Sequence, residues 1–208
     1  MAPVHLAAAQ RAAVCDTLEG LGPDAPTLCE GWTTADLAAH LVVREHDLLA
    51  GPGILAPKVF GSLTERRMAA ARARGFEANV ATVRQGRGLV MKLAPAMVDI
   101  GEFFIHDEDC RRANGEGPRP PDAEREEALW SWLSRLGRVF TRRVGAGVRV
   151  RTPDGRERDL KRGDAVAVLS GPASEMVLYL TGRRRAARVE LSGDTGAVAA
   201  LERAHLSL

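Results

Sequence analysis

One short segment of this sequence carries a pair of residues that could share a metal ion. Glu102 and His106 are four positions apart in the run Glu-Phe-Phe-Ile-His. On a helix this spacing turns the two side chains only ~40° apart around the axis and ~6 Å apart along it. Both side chains can therefore reach one ion, as two histidines do in helical zinc motifs. A carboxylate in so apolar a setting is costly to bury unless it is paired or bound to a metal.

Two ligands do not make a site, and the five histidines of the chain restrict the choice of a third. Two of them lie near the termini, and the charged neighbours of His46 predict a solvated helix face. His40 lies between Leu-Ala-Ala and Leu-Val-Val, which predicts that it faces the interior of a helical bundle. His40, Glu102 and His106 would form a His₂Glu set with an open fourth position, the arrangement of a catalytic zinc site.

Ordinary structural roles are the alternatives for each of these residues. His40 could be a core histidine whose polar atoms are satisfied, and the Glu–His pair could be an ion pair without a metal. Cys110 lies four positions after His106, on the same helix face. Three roles are open for it: a fourth ligand, a thiol beside the site, or a small buried apolar side chain. Residues 107–109 are expected to face solvent. Cys29 is expected to be a packed corner rather than a nucleophile, because no histidine lies near it in the sequence.

Helical periodicity and capping signals predict the elements that position these residues. Thr33 and Asp36 form a capping-box pattern before the helix that carries His40, and Gly75 is a weak point in the third helix. The predicted helices cover residues 4–21, 36–50, 63–86, 95–113 and 122–142.

The pattern changes near residue 145. An alternating segment, a Pro-Asp-Gly turn and a second alternating segment predict a β-hairpin over residues 147–160. A strand at 165–170, a helix at 172–181, a strand at 187–191 and a helix at 194–204 follow. The sequence thus predicts an α+β fold, with a helical domain over residues 1–143 and a small α/β domain over residues 144–208. The run Arg183–Arg185 is an anion-binding cluster or a solvated turn.

Composition excludes several classes of protein. The 208 residues include 29 Lys+Arg against 27 Asp+Glu, a net charge of +2 that argues against a dedicated nucleic-acid binder. Three cysteines without a Cys-x-x-Cys motif argue against a disulfide framework and for a reducing compartment. No signal peptide, transmembrane segment or nucleotide-binding motif is recognisable. We therefore expect a cytoplasmic protein without a membrane or nucleic-acid partner.

Three segments resemble one known family. Residues 28–53, LCEGWTTADLAAHLVVREHDLLAGPG, resemble the Trp-Thr-x-x-Asp-Leu-x-x-His-Leu motif of the DinB-like, mycothiol-dependent maleylpyruvate isomerase superfamily. Residues 102–115, EFFIHDEDCRRANG, resemble its second metal motif, and residues 171–183, GPASEMVLYLTGR, resemble its C-terminal domain. The likeness is to a metal-binding branch of the superfamily rather than to the isomerase proper.

The resemblance implies a DinB-like four-helix bundle that binds a divalent metal, usually zinc, at the positions of His40, Glu102 and His106. It also implies mycothiol as a cosubstrate, stabilised as a thiolate by the metal, and a small electrophilic substrate. The reaction would be a group transfer or an isomerisation, and maleylpyruvate itself is not implied. A non-catalytic metal-binding or partner-binding bundle is the alternative, and a fourth protein ligand such as Cys110 would favour it.

Overall fold

The structure, a computed structural model, describes residues 2–46, 57–86 and 96–206. The chain divides into two compact units, Met1–Arg119 and Pro120–Leu208. None of the helices in these described segments is both long enough and apolar enough to cross a membrane.

The N-terminal unit is a helical bundle. Its helices are α1 (Ala2–Leu21), α2 (Thr34–His46), α3 (Pro57–Ala73), α4 (Phe76–Gln85) and α5 (Ala96–Ala113). Helix α1 packs on α5 and α4, and α2 packs on α3 and α4. The predicted helix over 63–86 is two helices, because Gly75 adopts a φ of +89° that residues with a side chain rarely accept. With α3 and α4 counted as one interrupted helix, this is the four-helix arrangement that the family resemblance implies.

The Asp36 half of the capping box predicted at the start of α2 is confirmed. The Asp36 carboxylate accepts the backbone N–H of Thr33 at 3.0 Å, and the Leu37 N–H donates to the Thr33 carbonyl. Arg72 of α3 donates to the other Asp36 oxygen at 2.6 Å. The first turn of the helix that carries His40 is therefore held both locally and by a neighbouring helix.

Apolar side chains from α1, α2, α4 and α5 form the main core of the bundle. Cys110 lies within this core, fully buried, and burial raises the pKa of its thiol to about 12. Cys110 therefore takes the role of a small buried apolar side chain, one of the three alternatives considered for it. The buried members of the core are Val14, Cys15, Leu18, Leu37, Ala38, Leu41, Val42, Val80, Val83, Phe103 and Cys110.

The expectation that residues 107–109 face solvent is wrong, because all three carboxylates are fully buried. Arg119 pairs with Asp107, which also accepts the Thr17 hydroxyl at 2.6 Å. Glu108 accepts from Arg111 and Arg112 at 2.7 and 2.6 Å. A buried carboxylate is tolerated when it is paired and hydrogen-bonded. The partners of Asp107 come from outside its helix, whereas those of Glu108 lie one turn further along the same helix.

The C-terminal unit is a four-stranded sheet with helices. Its elements are α6 (Ala123–Thr141), β1 (Gly147–Arg151), β2 (Glu157–Lys161), β3 (Val166–Ser170), α7 (Ala173–Leu180), β4 (Glu190–Gly193) and α8 (Thr195–Arg203). The strand order is β2-β1-β3-β4, with β1 parallel to β3 and the other neighbours antiparallel. The predicted hairpin is confirmed as β1 and β2, which completes the α+β fold.

Helix α6 belongs to the second unit by its packing, against α7 and β2. The two compact units meet between residues 119 and 120, whereas the sequence pattern predicts a domain boundary between residues 143 and 144. The apolar stripe of an amphipathic helix shows that it packs on something but not on what. Its close approach to the sheet is made possible by Gly137, where a Cβ would lie 2.8 Å from the methyl groups of Leu160.

Arg184 has a structural role in the run Arg183–Arg185. Its guanidinium donates to the carbonyls of Leu201, Glu202 and Ala204 at the end of α8. The last carbonyls of a helix have no partner within the helix, and a cation there is also favoured by the helix dipole. This arginine thus caps α8.

Candidate metal centre

The structure brings together the three candidate donor residues predicted from the sequence. Glu102 Oε1 lies 3.4 Å from His40 Nε2 and 3.3 Å from His106 Nε2. One donor atom from each residue lies within 4.8 Å of the other two. His40 comes from α2, and Glu102 and His106 come from one face of α5, as the i, i+4 spacing predicts.

These separations are those of donors that share a small ion. Zinc–nitrogen and zinc–oxygen bonds of ~2.0–2.1 Å place tetrahedral ligand atoms ~3.3 Å apart. The Glu102–His40 and Glu102–His106 distances, 3.4 and 3.3 Å, match that edge, and without an ion they are those of long hydrogen bonds. Two imidazoles and one carboxylate are also a donor set suited to zinc. The residues present therefore fit a divalent metal.

Arg44 controls the charge of the central carboxylate. Its Nε lies 2.8 Å from Glu102 Oε1, and its Nη1 lies 3.7 Å from Asp99 Oδ1. Burial alone would raise the pKa of Glu102, but the Arg44 charge and hydrogen bonds from both histidines hold that pKa well below its usual range. Glu102 is thus ionised at neutral pH, as a metal ligand must be.

Of the described residues in the solvated face predicted around His46, only His46 itself is exposed, and Asp47 lies outside the described residues. Arg44 is turned toward Glu102, and the Glu45 side chain is fully buried. Neighbouring positions on a helix point about 100° apart, so a charged run cannot face solvent at every position of an enclosed helix. The sequence missed Arg44 as a site residue, and its one local signal was its spacing of four from His40.

His106 is held at its other ring nitrogen. Its Nδ1 lies 3.0 Å from Asp109 Oδ2, and Cys29 Sγ lies 3.2 Å from the same oxygen. Burial alone would lower the pKa of His106, but hydrogen bonds with Asp109, Cys29 and Glu102 raise it well above its usual range. Cys29, His106 and Asp109 form a second group whose donor atoms lie within 4.8 Å of one another.

The second group was not foreseen from the sequence. Cys29 and Asp109 are 80 positions apart, so the absence of a nearby histidine in the sequence was a misleading argument. Trp32, from the same loop as Cys29, packs on His40 with ring centroids 5.1 Å apart. The loop between α1 and α2 therefore contacts both histidines of the candidate centre.

We expect metal binding at this centre to release about one proton at neutral pH. Partial burial lowers the pKa of His40, so this imidazole is already neutral, and Glu102 is already ionised. His106, with its raised pKa, is the donor that must lose a proton, so affinity should rise with pH up to that pKa and weaken in acid. Titration calorimetry with zinc in buffers of different ionisation enthalpy measures the number of protons. Binding without proton release would contradict this assignment.

Two solved structures share this fold over most of their length. The crystal structure of the mycothiol-dependent maleylpyruvate isomerase has a TM-score of 0.59 and 17% sequence identity, with 91% of each chain covered. The crystal structure of a histidine-to-alanine mutant of the mycothiol-dependent maleylpyruvate isomerase has a TM-score of 0.57 and 18% sequence identity, again with 91% of each chain covered. Residues 133–200 match the family model of the MDMPI C-terminal domain. No curated protein matches the chain significantly.

The fold of these structures is the one implied by the resemblance drawn from the sequence motifs, and the family model agrees with that resemblance over residues 133–200. The structural matches concern the fold of nearly the whole chain, and the family model concerns about its last third.

Proposed function

We propose that this chain, whose fold is that of the mycothiol-dependent maleylpyruvate isomerase, is a metal-dependent enzyme that adds a low-molecular-weight thiol to a small electrophile. The observation that carries the proposal is the pair of donor separations around Glu102, 3.4 Å to His40 and 3.3 Å to His106. These distances between side chains of α5 and between α5 and α2 equal the spacing of ligand atoms around a shared ion. Mycothiol, the thiol on which the structurally similar isomerase depends, is the thiol we propose.

His40, Glu102 and His106 would hold the ion, and zinc is the metal that two imidazoles and a carboxylate suit best. When bound with an open coordination position, such an ion lowers the pKa of a ligating thiol and so supplies a thiolate nucleophile at neutral pH. The protein's own groups prepare this site. Arg44 keeps Glu102 ionised, and Trp32 packs against the ring of His40.

Two outcomes of thiol addition fall within this proposal. In an isomerisation, a carbon–sulfur bond forms at a conjugated double bond, the resulting single bond rotates, and elimination regenerates the thiol and the double bond. In a transfer, the carbon–sulfur bond is kept and a proton or leaving group balances the charge. Both need a small substrate with an electrophilic carbon.

The non-catalytic alternative calls for a fourth protein donor, as structural zinc sites have. Cys110 was the candidate for that donor, and it lies in the apolar core of the bundle. Among the described residues, the group formed by His40, Glu102 and His106 has no fourth His, Cys, Asp or Glu. Three protein donors support an open, catalytic site.

The test combines metal analysis with an activity screen. We expect purified protein to contain about one zinc per chain. We also expect it either to conjugate mycothiol with small activated alkenes or to isomerise such alkenes. Exhaustive chelation should remove both the metal and the activity, and zinc should restore them. Activity that survives complete removal of the metal would contradict the proposed function.

A further inference from the structure

Asp109 occupies an unusual position beside the candidate centre. Its side chain is fully buried, and one of its oxygens, Oδ2, faces both His106 Nδ1 at 3.0 Å and Cys29 Sγ at 3.2 Å. An ionised carboxylate can only accept hydrogen bonds. The ring nitrogen and the thiol that face it must therefore both be the donors.

We propose that Asp109 is a positioning residue of the metal centre, which keeps the proton of His106 on Nδ1 and so assigns Nε2 as the nitrogen that binds the ion. The inference rests on the metal site of the proposed function. Nε2 is the ring atom that faces Glu102, at 3.3 Å. A carboxylate behind a ligating imidazole fixes its tautomer and orientation and makes it a stronger ligand.

The same residue also holds the loop that packs on the second histidine. The backbone carbonyl of Asp109 accepts the Leu28 N–H at 3.1 Å, next to the Cys29 contact. The Trp32 N–H donates to the Cys29 carbonyl at 3.0 Å, and the Trp32 ring packs on His40. Asp109 thus acts on His106 directly and on His40 through the turn from Cys29 to Trp32.

Asp107 provides a matched control on the same helix. It is also fully buried and is held by Thr17 and Arg119, but it belongs to neither of the two donor groups. Replacing either aspartate by asparagine removes one buried negative charge from α5. A difference in metal binding between the two variants therefore reports the contact with His106 rather than a general loss of stability.

The experiment measures the zinc Kd by competition with a chromogenic chelator. We expect Asp109→Asn to weaken zinc binding ~10–100-fold, which is the usual effect of removing such a partner. Asp109→Ala should weaken zinc binding more than Asp109→Asn does, and Cys29→Ala should weaken it less. Asp107→Asn should leave the Kd unchanged. The cobalt-loaded Asp109→Asn protein should also show an altered visible spectrum, which a merely structural role would not produce.

An unchanged Kd in folded Asp109→Asn would overturn the inference while leaving the proposed metal site intact. Absence of zinc binding by the unmodified protein would overturn the proposed function and this inference with it. If the Asp109 variants do not fold, nitrogen-15 NMR of the unmodified, zinc-loaded protein determines which ring nitrogen of His106 carries the proton. The expected result is His106 protonated at Nδ1, and a proton at Nε2 contradicts the proposal.

Discussion

Replacing His40 by alanine is expected to reduce the zinc content from about one equivalent per chain to a small fraction of that. The variant removes one of three protein donors while leaving α5 and its two donors unchanged. We expect a loss of affinity above the ~10–100-fold that follows from removing a residue that only supports a ligand. Elemental analysis after gel filtration measures the content directly.

His46→Ala is the matched control, because His46 lies on the same helix and is exposed to solvent. It should retain the full zinc content. A His40→Ala variant that keeps one equivalent of zinc would show that His40 is not a ligand, and the proposed site would fail with it.

The same variant should change how stability responds to chelation. A ligand that binds only the folded state stabilises it by about 2.7 kcal/mol when its free concentration is one hundred times its Kd. Chelation should therefore lower the Tm of the unmodified protein and of His46→Ala, and leave the Tm of His40→Ala almost unchanged. Thermal unfolding with and without a chelator gives this comparison.

Replacing Glu45 by alanine is expected to destabilise the N-terminal unit by about 3–5 kcal/mol, since it leaves a charge without its partner in the protein interior. Arg11 donates to both Glu45 oxygens, at 2.5 and 2.6 Å. The Glu45 side chain is fully buried and that of Arg11 is 15% exposed. The guanidinium also donates to the Val83 carbonyl at 2.8 Å and lies 4.5 Å above the Phe103 ring, so it cannot easily turn to water.

Glu19→Ala is the matched control in the same unit. Glu19 pairs with Arg84 at 2.9 Å, but its side chain is 55% exposed, and such a surface pair contributes only about 0–1 kcal/mol. The free energies of unfolding are compared by urea denaturation of the metal-free proteins. An effect of the Glu45 substitution on metal binding through its neighbour Arg44 then does not alter the result. If Glu45→Ala costs no more than Glu19→Ala, the buried pair does not stabilise the bundle.

A double variant tests the physical reason for the loss. Arg11→Met combined with Glu45→Leu removes both charges and keeps apolar volume, and replacement of a buried ion pair in this way is often neutral or stabilising. We expect the double variant to be more stable than Glu45→Ala alone. A double variant as unstable as Glu45→Ala would show that packing, rather than the unpaired charge, causes the loss.

The parts of the site that follow from local geometry could be predicted from the sequence. A period of 3.6 residues places Glu102 and His106 on one helix face whatever surrounds them. The Thr33–Asp36 capping box and the Pro-Asp-Gly hairpin depend in the same way on residues only a few positions apart. These elements follow from the sequence alone, and the choice of His40 among the five histidines follows from its apolar neighbours in the sequence.

Contacts between distant residues depended on the tertiary structure. His40 reaches Glu102 over 62 positions and Cys29 reaches Asp109 over 80, and no local pattern records such pairings. Arg119 makes burial of Asp107 possible, although polarity alone placed residues 107–109 in solvent. The sequence by itself determined which faces of which helices carry the candidate donors. The packing of the bundle decided which charges are neutralised and which partners complete the site, because the cost of burying a polar group depends on what packing brings beside it.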